Sequence, residues 1–291
     1  MLTTPSSCPM GKTDGCSWLA RSGSVRDFPE VGVEECSNCG LVTPTKSLEE
    51  KVSYVDGSMH NWLSGYGEAS GKPSTDPNRR KIALQLLFQK QEKPTLLDFG
   101  CGDGEMLQVL NNTFECFGLE PEKNASHNAQ SKGFTVFNSE VELSQSGLRF
   151  DCITLFHVIE HLYSPEKTLV YLSTLLKPGG KIIIETPNAQ DALLVTYESK
   201  EFQNWTYWSH HPMLYSAYAL EQLFTRLGYK IESNVGVQRY SIDNHLYWLS
   251  KGLPGGHEKW KDDFSDEIRA EYGAELVRQK KNDTHWLVAT F

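Results

Sequence analysis

Residues 95–104 read TLLDFGCGDG, and this stretch decides the fold of the 291-residue chain. An apolar run ends in an acidic residue, and a helical pattern begins at Glu105. Between them lie glycines at three alternate positions, Gly100, Gly102 and Gly104. The stretch therefore predicts a strand, a tight turn and a helix, with glycines where the backbone passes close to a ligand.

The spacing of these glycines indicates the kind of ligand. A dinucleotide-binding fold carries G-x-G-x-x-G, so that a pyrophosphate can lie at the N-terminus of the helix. Here the pattern is G-x-G-x-G, with Asp98 just before it and no basic residue nearby to meet a phosphate. It resembles the first motif of class I S-adenosylmethionine (SAM) methyltransferases, whose ligand carries an amino-acid tail and a sulfonium. A nicotinamide oxidoreductase is the rival enzyme class, and the spacing disfavours it.

Further strands and helices follow in the order of that family. Strands are predicted at residues 116–120, 134–138, 150–156 and 181–186. Ser164 and Pro165 are typical of the N-cap and first residue of a helix. LKPGGKIIIETPN, residues 176–188, resembles the turn and strand after the fourth helix of class I methyltransferases, and residues 284–291 read as a closing strand. The resemblance implies an α/β, Rossmann-like, doubly wound sheet of seven strands with an antiparallel last strand.

The resemblance also implies which residues bind the cofactor, which we expect to be SAM. Glu120 ends the second strand, where an acid accepts hydrogen bonds from ribose hydroxyls in both nucleotide-binding classes. The other expected contacts follow the first, third and fourth strands: Asp98, Gly100, Cys101, Gly102, Asn138, Phe156 and His157.

Histidines follow the fourth and fifth predicted strands, at the edge where open α/β sheets bind ligands. The first group contains His157, Glu160 and His161, and the second is His210-His211. H-x-x-E-H matches an inverted zinc-protease motif, but that motif needs one long helix and here it adjoins a strand. It also resembles the E-x-x-E-H metal-binding run of small-RNA 2′-O-methyltransferases, with His157 replacing the first Glu. A further resemblance is to the E-H pair of ubiquinone-pathway-like methyltransferases, beside the sulfonium.

We expect this histidine cluster to be catalytic. An alcohol must lose a proton as the methyl group arrives, and a neutral imidazole is a suitable general base near pH 7. His161 and His211 are the two candidates for the base. A divalent metal ion held by the cluster is the alternative, because a Lewis acid lowers the pKa of a bound hydroxyl. A purely structural cluster is the remaining alternative.

Four cysteines crowd the first 39 residues. Cys36 and Cys39 place two thiolates on one turn, which is half of a zinc site. Residues 36–42 (CSNCGLV) resemble the end of a small zinc-binding module that begins many sugar and natural-product methyltransferases. The first half departs from that pattern, because seven residues separate Cys8 from Cys16. Structural zinc on all four thiols, a metal-free module and a site completed by other ligands stay open.

These features divide the chain into two parts. Residues 1–46 are predicted as a Cys-rich, zinc-ribbon-like module, and residues 47–291 as a methyltransferase domain in which residues 47–93 are a linker and partial lid. A short hairpin normally joins the last two strands, but here residues 239–283 intervene. We expect this insertion to cover the substrate pocket or to make a homodimer contact. Its start is rich in aromatic residues, His and Asn, which suits a polyhydroxylated or ring-shaped substrate.

Composition limits the partners. The net charge of −9 weighs against nucleic acid as the main partner. Apolar runs are far below membrane-spanning length and the N-terminus shows no targeting pattern, so we expect a cytoplasmic protein without a membrane partner.

We predict a SAM-dependent methyltransferase acting on oxygen of a small polar molecule, with a sugar or glycan precursor favoured. N- or C-methylation of a natural product is the alternative, and a non-catalytic SAM-binding protein is least favoured.

Overall fold

The computed structural model describes residue 8 and residues 16–55 and 76–291. The N-terminal part forms an antiparallel three-stranded sheet in the order β1-β2-β3. Its strands are β1 (Trp18–Val25), β2 (Phe28–Cys36) and β3 (Val42–Pro44), and a 3₁₀ turn follows at Glu49–Lys51. Part of the predicted lid, residues 56–75, lies outside the described residues.

The second sheet has seven strands in the order β6-β5-β4-β7-β8-β10-β9. The strands are β4 (Thr95–Phe99), β5 (Glu115–Leu119), β6 (Thr135–Phe137), β7 (Phe150–Phe156), β8 (Leu176–Pro187), β9 (Lys230–Val237) and β10 (Thr284–Thr290). Strands β4 to β8 pair in parallel, whereas β10 is antiparallel to both β8 and β9. The predicted Rossmann-like sheet with an antiparallel last strand is confirmed.

Helices cover both faces of this sheet. They are α1 (Asp76–Leu87), α2 (Glu105–Leu110), α3 (Lys123–Ser131), α4 (Glu140–Gln145), α5 (Pro165–Leu175), α6 (Ala192–Val195), α7 (Lys200–Thr206), α8 (Ala217–Arg226), α9 (Ile242–Lys251), α10 (Gly256–Lys259) and α11 (Asp266–Arg278). Ser164 is the N-cap of α5 and Pro165 its first residue, as predicted, although the Ser164 side chain makes no capping hydrogen bond. Across the described ranges, no helix combines the length and apolar character needed to cross a membrane.

The core has two layers because successive residues of a strand point to opposite faces. Leu96 of β4 packs with Leu84 of α1 and Leu110 of α2 on one face. Its neighbour Leu97 belongs to the cluster on the other face, which includes Leu172 of α5. Both faces are therefore buried, as a sheet with a parallel core requires, and polar side chains that approach a ligand gather at its carboxyl edge.

The small N-terminal sheet shares its core with the rest of the molecule. Val33 of β2 and Val42 of β3 pack in one cluster with Leu194, Tyr207 and Leu214. Val42 and Leu214 also exchange two backbone hydrogen bonds of 2.9 Å. The three-stranded sheet is thus held against the loops that follow β8 by both apolar contacts and backbone pairing.

Candidate functional site

The glycine-rich loop after β4 has the backbone geometry that the sequence predicts. Gly100, Gly102 and Gly104 adopt φ values of 79°, 53° and 79°, a region that favours glycine. A Cβ atom at Gly100 would lie 2.6 Å from Cγ2 of Val158, so no larger residue fits without movement. At Gly102 no described heavy atom lies within 4 Å of that position, so the loop faces open space there.

Two buried acids stabilise this loop from neighbouring strands. The Glu120 carboxylate, which follows β5, accepts hydrogen bonds of 2.9 Å from the backbone N–H groups of Gly102 and Glu122. Asp98 of β4 accepts a 2.7 Å hydrogen bond from Oγ1 of Thr154 on β7. Both acids thus lie at the carboxyl ends of the strands around the loop, where sequence reasoning expects a cofactor.

The other expected cofactor residues lie around the same edge but differ in orientation. The Cys101 thiol points toward β5, because a Cβ at Gly118 would lie 2.5 Å from its Sγ, and burial raises the pKa of Cys101. Asn138 accepts a 2.7 Å hydrogen bond from Oγ of Ser126. The Phe156 ring lies against Trp286, with ring centroids 5.7 Å apart.

His157 is held in an uncommon conformation between charged groups. Its φ of 56° is in the left-handed region, which non-glycine residues seldom adopt and which is common at functional sites. Its Nδ1 lies 3.3 Å from Oε1 of Glu160, and its Nε2 lies 2.9 Å from Nη1 of Arg239. Nε2 also lies 3.2 Å from Oε1 of Glu185, so this nitrogen faces both a guanidinium donor and a carboxylate acceptor. Both ring nitrogens of His157 are therefore engaged by the protein.

A buried ionic network surrounds His157, and sequence reasoning missed it. Glu185 of β8 is fully buried and pairs with Arg80 at 2.5 Å and with Arg79 at 2.6 Å. Asp76, in the first turn of α1, pairs with Arg79 at 3.0 Å and with Arg239 at 2.5 Å. The network therefore joins helix α1, strand β8 and the start of the predicted insertion.

The two carboxylates beside His157 are ionised despite their burial. Burial alone would raise the pKa of Glu160, but the hydrogen bond and charge of His157 lower it to about 2. For Glu185, burial is likewise outweighed by His157 and Arg80, which hold the pKa of that carboxyl well below its usual range. Thr186 donates a further 3.0 Å hydrogen bond to Glu160.

His161 and His211 form a pair of neutral imidazoles. Nδ1 of His161 lies 2.6 Å from the carbonyl oxygen of His210, and Nδ1 of His211 lies 2.8 Å from that of Thr206. Carbonyls only accept, so both Nδ1 atoms carry the proton and each ring keeps an Nε2 lone pair. Burial lowers the pKa of His161 and lowers that of His211 to about 3. The ring centroids are 4.8 Å apart.

A cavity of about 220 Å³ connects these groups. Its polar wall contains four of the five residues predicted to be catalytic, His157, Glu160, His161 and His211. The lining also includes an aromatic wall of three side chains, Phe202, Trp205 and Trp248, in which Trp248 contacts the other two. The predicted insertion contributes further lining residues, Arg239, Tyr240, Asn244, His245, Trp248 and Pro254.

His210 is the predicted catalytic residue that does not line this cavity. Its ring packs on Trp208 and Tyr54, with centroid distances of 4.2 and 5.3 Å. It borders a separate surface groove together with Asp27 and Phe28. The connection of His210 with the cavity is through its backbone, whose carbonyl fixes the ring of His161.

The comparison with protein families settles which of the two rival enzyme classes applies. The family model described as "Methyltransferase domain" matches residues 76–234, which is more than half of the chain. The chain belongs to this methyltransferase family. The matched segment contains the glycine-rich loop, Glu120 and three of the cavity's histidines, so the expectation of a class I SAM-dependent methyltransferase, with SAM as its cofactor, is confirmed.

Individual relatives are distant. The methyltransferase is 27% identical over 256 residues to the ubiquinone biosynthesis O-methyltransferase of Rhizobium johnstonii, covering 83% of this chain and 95% of the relative. It is 25% identical over 170 residues to the mitochondrial ubiquinone biosynthesis O-methyltransferase of Dictyostelium discoideum, covering 48% of this chain and 53% of that relative. The matched region thus spans about half the length of the Dictyostelium protein. Neither relative is named for a sugar, and the predicted sugar acceptor stays a prediction.

Solved structures support the fold. A SAM-dependent methyltransferase from Archaeoglobus fulgidus superimposes with a TM-score of 0.52 at 18% identity, covering 80% of this chain and all of that one. At this identity the likeness shows a shared fold, and it leaves the acceptor of the methyltransferase undetermined.

Three N-terminal thiols of the methyltransferase cluster in space, and a fourth lies next to one of them. The Sγ atoms of Cys8, Cys16 and Cys36 all lie within 4.8 Å of one another, and Sγ of Cys39 lies 3.4 Å from that of Cys8. Zinc–sulfur bonds of about 2.3 Å in a tetrahedron place sulfurs about 3.8 Å apart, so these thiols suit a zinc ion. Within the described part of the chain, three His, Cys or carboxylate ligand atoms approach within 4.8 Å at this cluster and nowhere else.

Proposed function

We propose that this protein transfers the methyl group of SAM to a hydroxyl oxygen of a small, ring-shaped polar molecule bound in the cavity. The observation that carries the proposal is the pair of neutral imidazoles, His161 and His211. Backbone carbonyls hold their Nδ1–H groups, which leaves two Nε2 lone pairs at a cavity beside the fourth strand. In that arrangement an imidazole Nε2 can take the proton from the hydroxyl group of the methyl acceptor, and neither ring has to rotate.

SAM is proposed to bind at the glycine-rich loop. In our proposal the Glu120 carboxylate accepts from the ribose hydroxyls, as an acid does at the end of the second strand of nucleotide-binding sheets. Asp98, Gly100 and Gly102 would line the same site, and the Gly102 position leaves room for a ligand. The residues proposed to complete it are Cys101, Asn138, Phe156 and His157. When bound, SAM supplies a methyl group on a positively charged sulfur.

The protein's contribution is alignment and proton management. Methyl transfer is a direct displacement, so the acceptor oxygen must be held in line with the sulfonium. We propose that Nε2 of His161 takes the hydroxyl proton, because the buried Glu160 carboxylate raises the pKa of that imidazole against the effect of burial. Glu160 would then stabilise the imidazolium, while His211 adjoins the same space. His157 is proposed to position Glu160, since both of its nitrogens are already bonded.

The acceptor class follows from the walls of the cavity. Aromatic faces stack on sugar and phenol rings, and the cavity combines Phe202, Trp205 and Trp248 with several polar groups. The relatives named for ubiquinone biosynthesis are O-methyltransferases, which supports oxygen over nitrogen or carbon. A sugar or glycan precursor remains the class that we propose, and a homodimer contact of the insertion stays a prediction.

The test compares His161→Ala and His211→Ala with the control His127→Ala, which removes an exposed imidazole on α3. SAH formation is measured with an acceptor selected from a panel of monosaccharides and phenols, and SAM affinity is measured by calorimetry. We expect His161→Ala to lower turnover by roughly 10²–10⁴-fold, with SAM affinity unchanged and the control fully active. Full activity of both cavity variants would refute a histidine base. Loss of activity with chelator, restored by a divalent ion, would favour the metal-dependent alternative.

We also propose that Cys8, Cys16, Cys36 and Cys39 hold one structural zinc ion. Four thiolates are a typical donor set for such a site, and the clustering of sulfurs that are remote in sequence supports it. The ion would fix the turn after β2, because Cys36 and Cys39 are buried in the main core. Its proposed role is to stabilise the N-terminal sheet and not to take part in methyl transfer.

A further inference from the structure

Asp191 lies at the cavity, a few residues beyond the end of β8, and no cationic side chain of the described residues pairs with its carboxyl group. The residue is 4% exposed and lines the cavity. One carboxylate oxygen, Oδ1, accepts a 2.7 Å hydrogen bond from the backbone N–H of Leu193 and so caps helix α6. Among the residues that the structure describes, no hydrogen bond reaches Oδ2, and no Lys, Arg or His forms an ion pair with this side chain.

The other charges of the cavity are already compensated. Glu160 is paired with His157, and Arg239 is paired with Asp76. The nearby Asp283 carboxylate accepts from the backbone N–H groups at the start of the insertion. A buried carboxylate without a cation is costly, and burial together with the charge of Asp283 raises the pKa of Asp191 well above its usual range. A positive group on a ligand would remove this cost.

The aromatic wall suits the same kind of ligand. The ring of Trp248 is in edge contact with Phe202 and Trp205, at centroid distances of 5.2 and 5.8 Å. Cations bind favourably over aromatic faces, above all those of Trp. Asn244 also lines the cavity, and its Oδ1 accepts from the N–H groups of Gly255 and Gly256. No acceptor among the described residues takes a hydrogen bond from its amide nitrogen, which can donate to a ligand hydroxyl or ether oxygen.

We propose that Asp191 is the anchoring residue for an ammonium group of the acceptor, so that the acceptor is an amino-substituted ring such as an amino sugar. The inference rests on the proposed function and adds the charge of its substrate. The ammonium is not the group that receives the methyl, because a protonated amine has no lone pair with which to attack the sulfonium methyl. Nor is it the amino group of SAM: β8 is two strands from β4 in the sheet, which is about 10 Å at the usual strand spacing.

The test uses a matched pair of ligands, D-glucosamine and D-glucose, titrated into SAH-loaded protein by calorimetry and saturation-transfer NMR. The variant is Asp191→Asn, because asparagine is as good an N-cap as aspartate and keeps helix α6 intact. The control is Asp262→Asn, an exposed acid in the insertion over residues 239–283. We expect glucosamine to bind the parent protein and the control at least about tenfold more tightly than glucose, and this preference to disappear in Asp191→Asn with SAH affinity unchanged.

Three outcomes overturn the inference: equal binding of the two sugars to the parent protein, an amine preference that survives in Asp191→Asn, or binding of neither sugar. Failure of the proposed function looks different, because it would appear as full activity of His161→Ala and His211→Ala and does not depend on which sugar binds. A variant that loses SAH affinity together with glucosamine would assign Asp191 to the cofactor and would also overturn the inference.

Discussion

Replacing Glu185 with glutamine is expected to lower the free energy of unfolding by about 3 kcal/mol at pH 7.5. The carboxylate is fully buried, and its partner Arg80 has a side chain that is 5% exposed. Removing one member of a buried ion pair typically costs about 3–5 kcal/mol, because the other charge stays buried without compensation. The contact with Arg79 adds little, since that side chain is 30% exposed and keeps Asp76. Glutamine preserves the shape and one acceptor, which favours the lower end of this range.

The effect of Glu185→Gln depends on pH with a defined sign. The pKa of Glu185 is lower in the folded protein than in the unfolded chain, where a glutamate titrates near about 4.3. Its stabilising contribution is therefore complete above that pH and is lost as the pH falls toward the folded-state pKa. The difference between parent and variant should be constant from about pH 6 to 8 and should shrink below about pH 4.3.

Urea denaturation followed by tryptophan fluorescence measures this difference. The matched control is Glu232→Gln, which breaks the partly exposed pair between Glu232 and Lys181 and should cost less than about 1 kcal/mol. If Glu185→Gln were as mild as this control, the ionic network would not stabilise the fold. A difference that persisted unchanged to about pH 3 would show that a group other than the Glu185 charge is responsible.

Three further predictions concern the cofactor, the thiols and the base. Glu120→Ala should weaken SAM binding by about 1–3 kcal/mol in calorimetry, because charge-assisted hydrogen bonds and the contact with Gly102 are lost. Tight binding of NAD without binding of SAM would contradict the assignment of this site to SAM. Purified protein should carry about one equivalent of zinc by elemental analysis, and Cys39→Ser should release it while SAM affinity is kept; metal-free protein with an ordered N-terminal sheet would reject the metal. Burial lowers the pKa of His161 and of His211, so their neutral forms persist below the usual imidazole pKa of about 6.5. The acid limb of kcat/KM should therefore lie below that pH, and a limb at about pH 6.5 or above would exclude both as the free base.

The fold could be predicted from the sequence because its signals are local. The glycine-rich loop, the strand over residues 95–99 and the strand over residues 284–290 each carry their pattern within about ten residues. Helix α1 is a counterexample. The sequence places Ile82 and Leu86 at helical spacing, yet both are exposed, whereas Arg80 of the same helix is buried. A basic side chain on the inner face cannot be predicted without its partner.

Glu185, the partner of Arg80, could not be recognised from local sequence patterns. Glu185 lies within the run IIIET, which reads as an apolar buried strand, and it is 105 positions from Arg80 along the chain. Local patterns report helices and strands, but an ion pair between distant segments depends on the packed structure. The histidine cluster shows the same limit: its location was predictable from strand ends, whereas the separation of His210 from His211 depends on how one turn packs against Trp208.

The position of β10 between β8 and β9 has a consequence for the way the protein is made. Among the described strands, β9 pairs with β10 alone, and β10 is translated after residues 238–283. During synthesis β9 therefore leaves the ribosome before its partner strand β10 exists. Until β10 is made, the edge of β8 that later pairs with β10 is also unpaired. Non-local pairing of this kind is slow and leaves strands exposed to aggregation. Residues 239–283, which line part of the cavity, are synthesised between β9 and β10. We therefore expect substitutions that destabilise this segment to lower the yield of soluble, newly synthesised protein.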